Sequence, residues 1–187
     1  MLVDGRTLST ASERMVLGLM QVLIHPNPVL TQVAQPVDPR SDGDLARLAR
    51  EMAKLMYAAP GVGLAATQLG VCKRLIVFDV GEEQRPHALC NPVIVERSAE
   101  TAVEEEGCLS VPGITVPIER AASVVCEGED LQGRRVRVEA SDLLARVLQH
   151  ETDHLDGLLI LDRATLEDRR AAVRRYREAL EAGCPVE

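Results

Sequence analysis

The sequence predicts an α+β fold in which mostly antiparallel strands occupy the middle of the chain and helices flank them. Two patterns carry that prediction. Apolar, strand-like runs succeed one another from residue 74 to residue 140 with no helical stretch between them. Segments with apolar residues at three- and four-residue steps lie before and after this block. Strands clustered between helices, not alternating with them, argue against a chain of βαβ units.

Residues 1–19 are weakly patterned and read as an N-terminal extension, while residues 20–187 read as a single domain. A chain of this size buries a core without disulfide staples. From Met20 the segment MQVLIHPNPVLTQVAQPV is extended, because Pro26, Pro28 and Pro36 forbid a continuous helix. Ser41 is the expected N-cap of a first helix, with Asp42 and Asp44 in its first turn. Leu45, Leu48, Met52 and Leu55 form its apolar face, and Ala59-Pro60-Gly61 ends it. Strands are expected over 74–80, 88–96, 101–107 and 114–120. The runs 123–130 and 134–140 flank Leu131-Gln132-Gly133 and read as a hairpin. Ser141 and Asp142 open a second helix through about Leu155, with Gly157 in its C-cap region. A last helix is expected from Thr165 to Glu181, ended by Gly183 and Pro185.

Composition narrows the function. Aromatic residues make up 2% of the chain, so the core is aliphatic and a base-stacking platform is ruled out. A net charge of −8 argues against general nucleic-acid binding, DNA included, and leaves room only for a local basic face. No apolar stretch is long enough to span a bilayer, and residues 1–20 carry no secretory signal. The expected compartment is the cytoplasm. There, an odd count of five cysteines points to metal binding or catalysis sooner than to disulfides.

The strongest chemical signal is Gln149-His150-Glu151-Thr152-Asp153-His154 on the second helix. Histidines four apart sit one turn apart on one face and can chelate one ion. Glu151, beside the first of them, can reach a metal-activated water as general base. Leu143, Val147, His150 and His154 share one stripe, and Leu144, Leu148, Glu151 and Leu155 the next. Polar groups among leucines, on a face expected to be buried, are costly unless paired or metal-bound. A catalytic site of this kind needs a third protein ligand. The downstream histidine usual in proteases is missing, since Gly157 is followed by Leu158-Leu159-Ile160. His25 and His87 are candidates, each beside a proline. Cys108, in EEEGCLSVPG (104–113) between a strand and a Pro-Gly turn, is better placed, and its thiolate suits a soft or borderline ion. Cys72, Cys90 and Cys126 read as small core residues and Cys184 as part of the tail. The glycine-rich stretch GVGLAATQLG (61–70) is not a phosphate loop: it lacks the Lys-Ser/Thr pair and does not fit GxGxxG. A zincin-like endopeptidase and a metal-binding protein without turnover remain as alternatives at this point.

GVGLAATQLG (61–70), EEGCLSVPG (105–113) and QHETDHLDG (149–157) together resemble the three signature motifs of the peptide deformylase family, in the family's order. The resemblance covers about residues 20–165. It implies a hydrolase that removes the formyl group from the N-terminal formylmethionine of nascent chains and releases formate. It implies that Cys108, His150 and His154 bind one divalent metal, natively iron(II), with zinc, nickel or cobalt as substitutes. Glu151 would serve as general base and then acid. The Gln68 side chain and the Leu109 backbone N–H would stabilise the oxyanion. Val62, Gly63, Glu106, Leu143 and Val147 would line the substrate pocket, and Asp153 would orient a ligand or pair with an arginine. Two departures lie outside the motifs: Asn27 stands where the family often has Asp, and Thr31 where it often has Arg. The resemblance also implies a start near Met20 or Met15. Arg169, Arg170, Arg174, Arg175 and Arg177 on the last helix, interleaved with acids, read as a solvated, ion-paired face. By resemblance that helix is also a contact to the ribosome.

Overall fold

The computed structural model describes residues 20–59, 61–81 and 85–181, together with two two-residue strands, Leu2–Val3 and Arg6–Thr7, that pair antiparallel. The remainder of residues 1–19, and Cys184, lie outside the described residues.

Helix α1 spans Leu45–Ala58 and buries Leu45, Leu48, Met52 and Met56 at the expected helical spacing. It starts later than Ser41. The Ser41 hydroxyl donates to Asp38 Oδ2 at 2.9 Å, and residues 38–44 form turns held by their own carboxylates. These local bonds compete with helix formation, as short polar side chains commonly do.

Seven strands follow: β1 Gly63–Ala65, β2 Leu75–Phe78, β3 His87–Arg97, β4 Thr101–Gly107, β5 Thr115–Ala121, β6 Ser123–Glu129 and β7 Arg135–Ser141. Five make one sheet in the order β1-β2-β3-β6-β7, and β4 with β5 forms a separate hairpin. Every pairing among these seven strands is antiparallel. The pairing of β6 with β7 is the expected hairpin, and Gly133 in its turn has a φ of 74°.

Helix α2, Asp142–Leu155, is the centre of the molecule, with ten of its residues buried. One flank packs on the sheet in a cluster that includes Ile76, Leu89, Val124, Val147, Leu148 and Leu155. Helix α1 covers a second part of the sheet through Met52, Met56, Leu64 and Leu75. A third cluster joins the β4–β5 hairpin to α3 (Ile160–Arg163) and α4 (Leu166–Glu181) through Ile118, Leu161, Ala172 and Tyr176. The core is aliphatic, as the composition requires. No helix among the described residues is long and apolar enough to cross a membrane.

The end of α2 is fixed by Gly157, whose φ is 76°. The Leu158 N–H donates to Asp153 O at 2.9 Å and the Gly157 N–H to His154 O at 3.2 Å, the paired bonds of a Schellman motif. A Cβ on Gly157 would lie 2.6 Å from Thr31 O, so glycine is needed for space as well as for φ. The departures at 27 and 31 are accommodated nearby. Asn27 Oδ1 accepts from Val29 N–H at 3.0 Å and caps the short 3-10 helix Pro28–Thr31.

Candidate metal centre and its cleft

Helix α2 supplies His150 and His154 from one face, and Cys108 arrives from the other side, immediately after Gly107 ends β4. The His150 and His154 Nε2 atoms lie 3.2 Å apart, and Cys108 Sγ lies 3.3 Å from His154 Nε2. All three ligand atoms fall within 4.8 Å of one another. Metal–nitrogen bonds of about 2.0–2.1 Å and metal–sulfur bonds of about 2.3 Å give tetrahedral edges of roughly 3.3–3.6 Å. The two shorter separations, 3.2 and 3.3 Å, are close to those edges, and one thiolate with two imidazoles is a donor set for a borderline divalent ion. Without a cation, two ring nitrogens aimed at each other would have to share a proton. The residues present therefore fit a resident metal.

The two rings are held differently. His150 Nδ1 lies 2.9 Å from Glu106 Oε2, so the carboxylate holds the proton on Nδ1 and leaves Nε2 facing the cluster. Burial disfavours the charged ring of His150, but Cys108 and Glu106 outweigh it and raise its pKa well above the usual value. His154 is pushed well below its usual value by burial and by the nearby charges of His150 and Arg120. Its Nδ1 is buried with no hydrogen-bond partner among the described residues.

Glu106 is bound from several sides. Arg120 forks onto both its oxygens at 2.8 and 2.9 Å, and Arg146 Nη1 reaches Oε1 at 2.6 Å. Burial would raise this carboxyl, yet Arg120 and His150 hold it well below the usual carboxylate range. Arg120 also donates to Asp153 Oδ2 at 2.6 Å, and Arg163 donates to the same carboxylate. Asp153 is thus paired with two arginines.

Glu151 contrasts with Glu106. It is 4% exposed, and its Oε2 has no partner among the described residues. Burial pushes its pKa up to about 7, with His150 and Arg120 pulling the other way. Gly63 lies against it: a Cβ there would overlap its carboxylate, 2.8 Å from Cδ and 2.9 Å from Cγ.

Gln68 sits in a 3-10 turn, Ala66–Leu69, that directly follows β1. Its Oε1 accepts from Ala65 N–H at 2.9 Å, which turns the amide NH2 toward Ser110 Oγ (3.2 Å) and Cys108 Sγ (3.8 Å). A cleft of about 650 Å³ opens over these groups. Val62, Gly63, Gln68, Leu109, Leu143, Val147 and Glu151 all line it, as do Glu106, Cys108 and His150. Val147 is buried, whereas Leu143, in the first turn of α2, is 48% exposed. The stripe read from the sequence is therefore buried only from Val147 onward. Glu106 borders the cleft with its carboxylate already committed to the two arginines and His150.

Neither His25 nor His87 belongs to the cluster. His87 stacks on Phe78, and the His25 carbonyl accepts from Tyr176 Oη at 2.8 Å. Cys90 and Cys126 are buried among apolar residues as expected, while Cys72 is partly exposed. Sequence reasoning missed Arg120, Arg146 and Ser110. For Arg146 a signal existed, since it lies one turn before His150 on the same helical stripe. Arg120 and Ser110 come from a strand and a loop whose spacing carries no such pattern.

The polypeptide deformylase family model matches residues 19–170. A relative named peptide deformylase, from Rhizobium meliloti (strain 1021), is 47% identical over 161 residues, covering 84% of this chain and 92% of its own. A peptide deformylase crystal structure from Legionella pneumophila superposes with a TM-score of 0.82 at 36% identity, covering 89% of this chain and 98% of that one. One from Synechococcus elongatus, in complex with actinonin, gives 0.80 at 38% identity, with 87% and 90% covered. The three motifs, the fold that converges them and these likenesses agree, and the chain belongs to the peptide deformylase family.

Proposed function

We propose that this protein hydrolyses the formamide at the N-terminus of formylmethionyl peptides, releasing formate and a free amine. The observation that carries the mechanism is Glu151, a buried carboxyl whose Oε2 has no partner among the described residues, facing the cleft beside three converging side chains. Cys108, His150 and His154 hold one divalent ion, natively iron(II), with zinc, nickel or cobalt able to replace it. When bound, that ion acts as a Lewis acid and makes water a nucleophile at neutral pH.

The protein's own groups do the rest. Glu151 takes the proton of the attacking water and later delivers it to the leaving amine nitrogen. Burial, which raises the pKa of this carboxyl, favours its holding the proton between the two halves of that exchange. The Gln68 amide, held by Ala65, and the Leu109 N–H donate to the oxygen that gains charge at the formyl carbon. One such donor contributes about 10²–10³ in rate. Gly63 lets the peptide approach Glu151, and Val62, Leu143 and Val147 offer an aliphatic wall to a methionine side chain. Glu106 borders the pocket and orients His150.

The reaction belongs to N-terminal processing during protein biosynthesis, in the cytoplasm. The arginines of α4 offer a confined, salt-sensitive contact to ribosomal RNA on an otherwise acidic chain. An endopeptidase reading has no support from the ligand set, which takes a strand-end cysteine where a downstream histidine is usual.

The test is anaerobic incubation of metal-analysed protein with a formyl-Met peptide, measuring formate and free amine. Formate with no internal cleavage is expected. Glu151→Ala should keep its metal and lose about 10²–10⁴ in kcat. An active Glu151→Ala, or metal-loaded protein that yields no formate, would overturn the reading.

A further inference from the structure

We propose that Arg146 is a positioning residue for the metal centre: it sets the helix that carries His150 and His154 in register with the hairpin that delivers Cys108. This rests on the metal reading above but assigns a role to a residue that is not itself a ligand.

The guanidinium of Arg146 is buried, with side-chain exposure of 9%, and its donors are spread over four acceptors. Nε donates to Glu104 Oε2 at 2.9 Å. Nη1 donates to Glu106 Oε1 at 2.6 Å and to Ile118 O at 3.0 Å, and Nη2 to Ala102 O at 2.9 Å. Ala102, Glu104 and Glu106 lie on β4, and Ile118 on β5. One side chain of α2 therefore holds both strands of the hairpin whose end leads into Cys108.

The contact to Glu106 makes this more than a staple. Oε1 of Glu106 is taken by Arg146 and Arg120, while Oε2 is left to Arg120 and to His150 Nδ1. Arg120 forks onto both oxygens from β5 and Arg146 adds a hold on Oε1 from α2, so the carboxylate that meets His150 Nδ1 is tied to the ligand's own helix. Arg146 also precedes His150 by one helical turn, so α2 carries both the ligand and the group that orients the ligand's partner. A hairpin staple alone would need only the carbonyls and the outer carboxylate of Glu104, whose side chain is 59% exposed. A planar fork with several fixed donors is what this arrangement uses, and a lysine cannot reproduce it.

Cobalt(II) titration of chelator-stripped protein under anaerobic conditions tests the proposal without substrate. The readouts are the dissociation constant and the thiolate-to-cobalt absorption. Arg146→Met should weaken cobalt binding about 10–100-fold and shift the spectrum, the usual range for groups that support a metal ligand. Arg146→Lys, which keeps the charge and guards against a misfolded Met variant, should fall between. Glu104→Gln should stay within about twofold, since exposed pairs contribute little. Wild-type affinity and spectrum in Arg146→Met or Arg146→Lys, even with a lowered Tm, would reduce Arg146 to a structural staple and overturn the proposal. A wild-type protein with no thiolate-to-cobalt band would instead overturn the metal reading.

Discussion

Helices α2 and α4 are of similar length, but α2 carries one arginine and α4 five, and they are used in opposite ways. In α2 ten residues are buried, and Arg146 spends its donors on carboxylates and carbonyls beside the cluster of Cys108, His150 and His154. In α4 only Ala172 and Tyr176 are buried, and Arg169, Arg170, Arg174 and Arg177 border an open surface groove. A buried guanidinium has lost its water, so each donor must find a fixed acceptor, and geometry follows from that requirement. An exposed one keeps its water and contributes chiefly field, which salt screens. The same residue type thus gives fixed geometry in one helix and a solvated, salt-screened charge in the other.

Substitutions can break this contrast or sharpen it. The largest effect is expected where α2 meets the cleft. Gly63→Ala places a methyl group on the Glu151 carboxylate, so kcat on a formyl-Met peptide should fall about 10²-fold or more, the scale of losing a positioned general base. Bound metal, measured by elemental analysis, should be unchanged. Equal activity would mean that Glu151 can move aside at no cost and that burial does not fix it.

An intermediate effect is expected at the end of α2. Gly157→Ala combines a positive φ with a Cβ only 2.6 Å from Thr31 O, and should cost about 1–3 kcal/mol of stability. A urea melt measures it. An unchanged midpoint would show that α2 can end differently without disturbing the ligands.

The smallest effect is expected on α4. Arg174→Ala should change stability by no more than about 0.5 kcal/mol and leave turnover of a short peptide unaltered. It should weaken binding to ribosomes, with a shallower salt dependence, measurable by co-sedimentation at two salt concentrations. A large loss of stability would place α4 with α2 and erase the distinction.

Much of the site is legible along the chain because its ligands follow local rules. His150 and His154 share a face by helical period, and Cys108 stands out as a cysteine at a glycine turn. The hairpin 123–129/135–141 and helix α2 fall close to where their patterns place them. Other parts are silent. Ser41 looks like an N-cap, but Asp38 captures its hydroxyl and the helix waits until Leu45. Leu143 belongs to an apolar stripe, but neighbours cover that stripe only from Val147 onward. Gln68 depends on a 3-10 turn that no periodicity announces.

By itself the sequence determined which atoms could do chemistry here: one thiolate, two imidazoles a helical turn apart, and a carboxyl between them. It also determined an aliphatic core, strands β2 to β7 and helices α1, α2 and α4, since periodicity and turn residues act over a few positions; strand β1 and the short α3 carry no such mark. Only the tertiary structure decided which of three neighbouring acids does what. Glu106 is ionised and orients His150 because Arg120 and Arg146 converge on it. Asp153 is spent on Arg120 and Arg163, and Glu151 Oε2, which has no partner among the described residues, is left to the cleft. The physical reason is that a carboxylate's role is set by the charges and the water around it, and those come from segments distant in sequence.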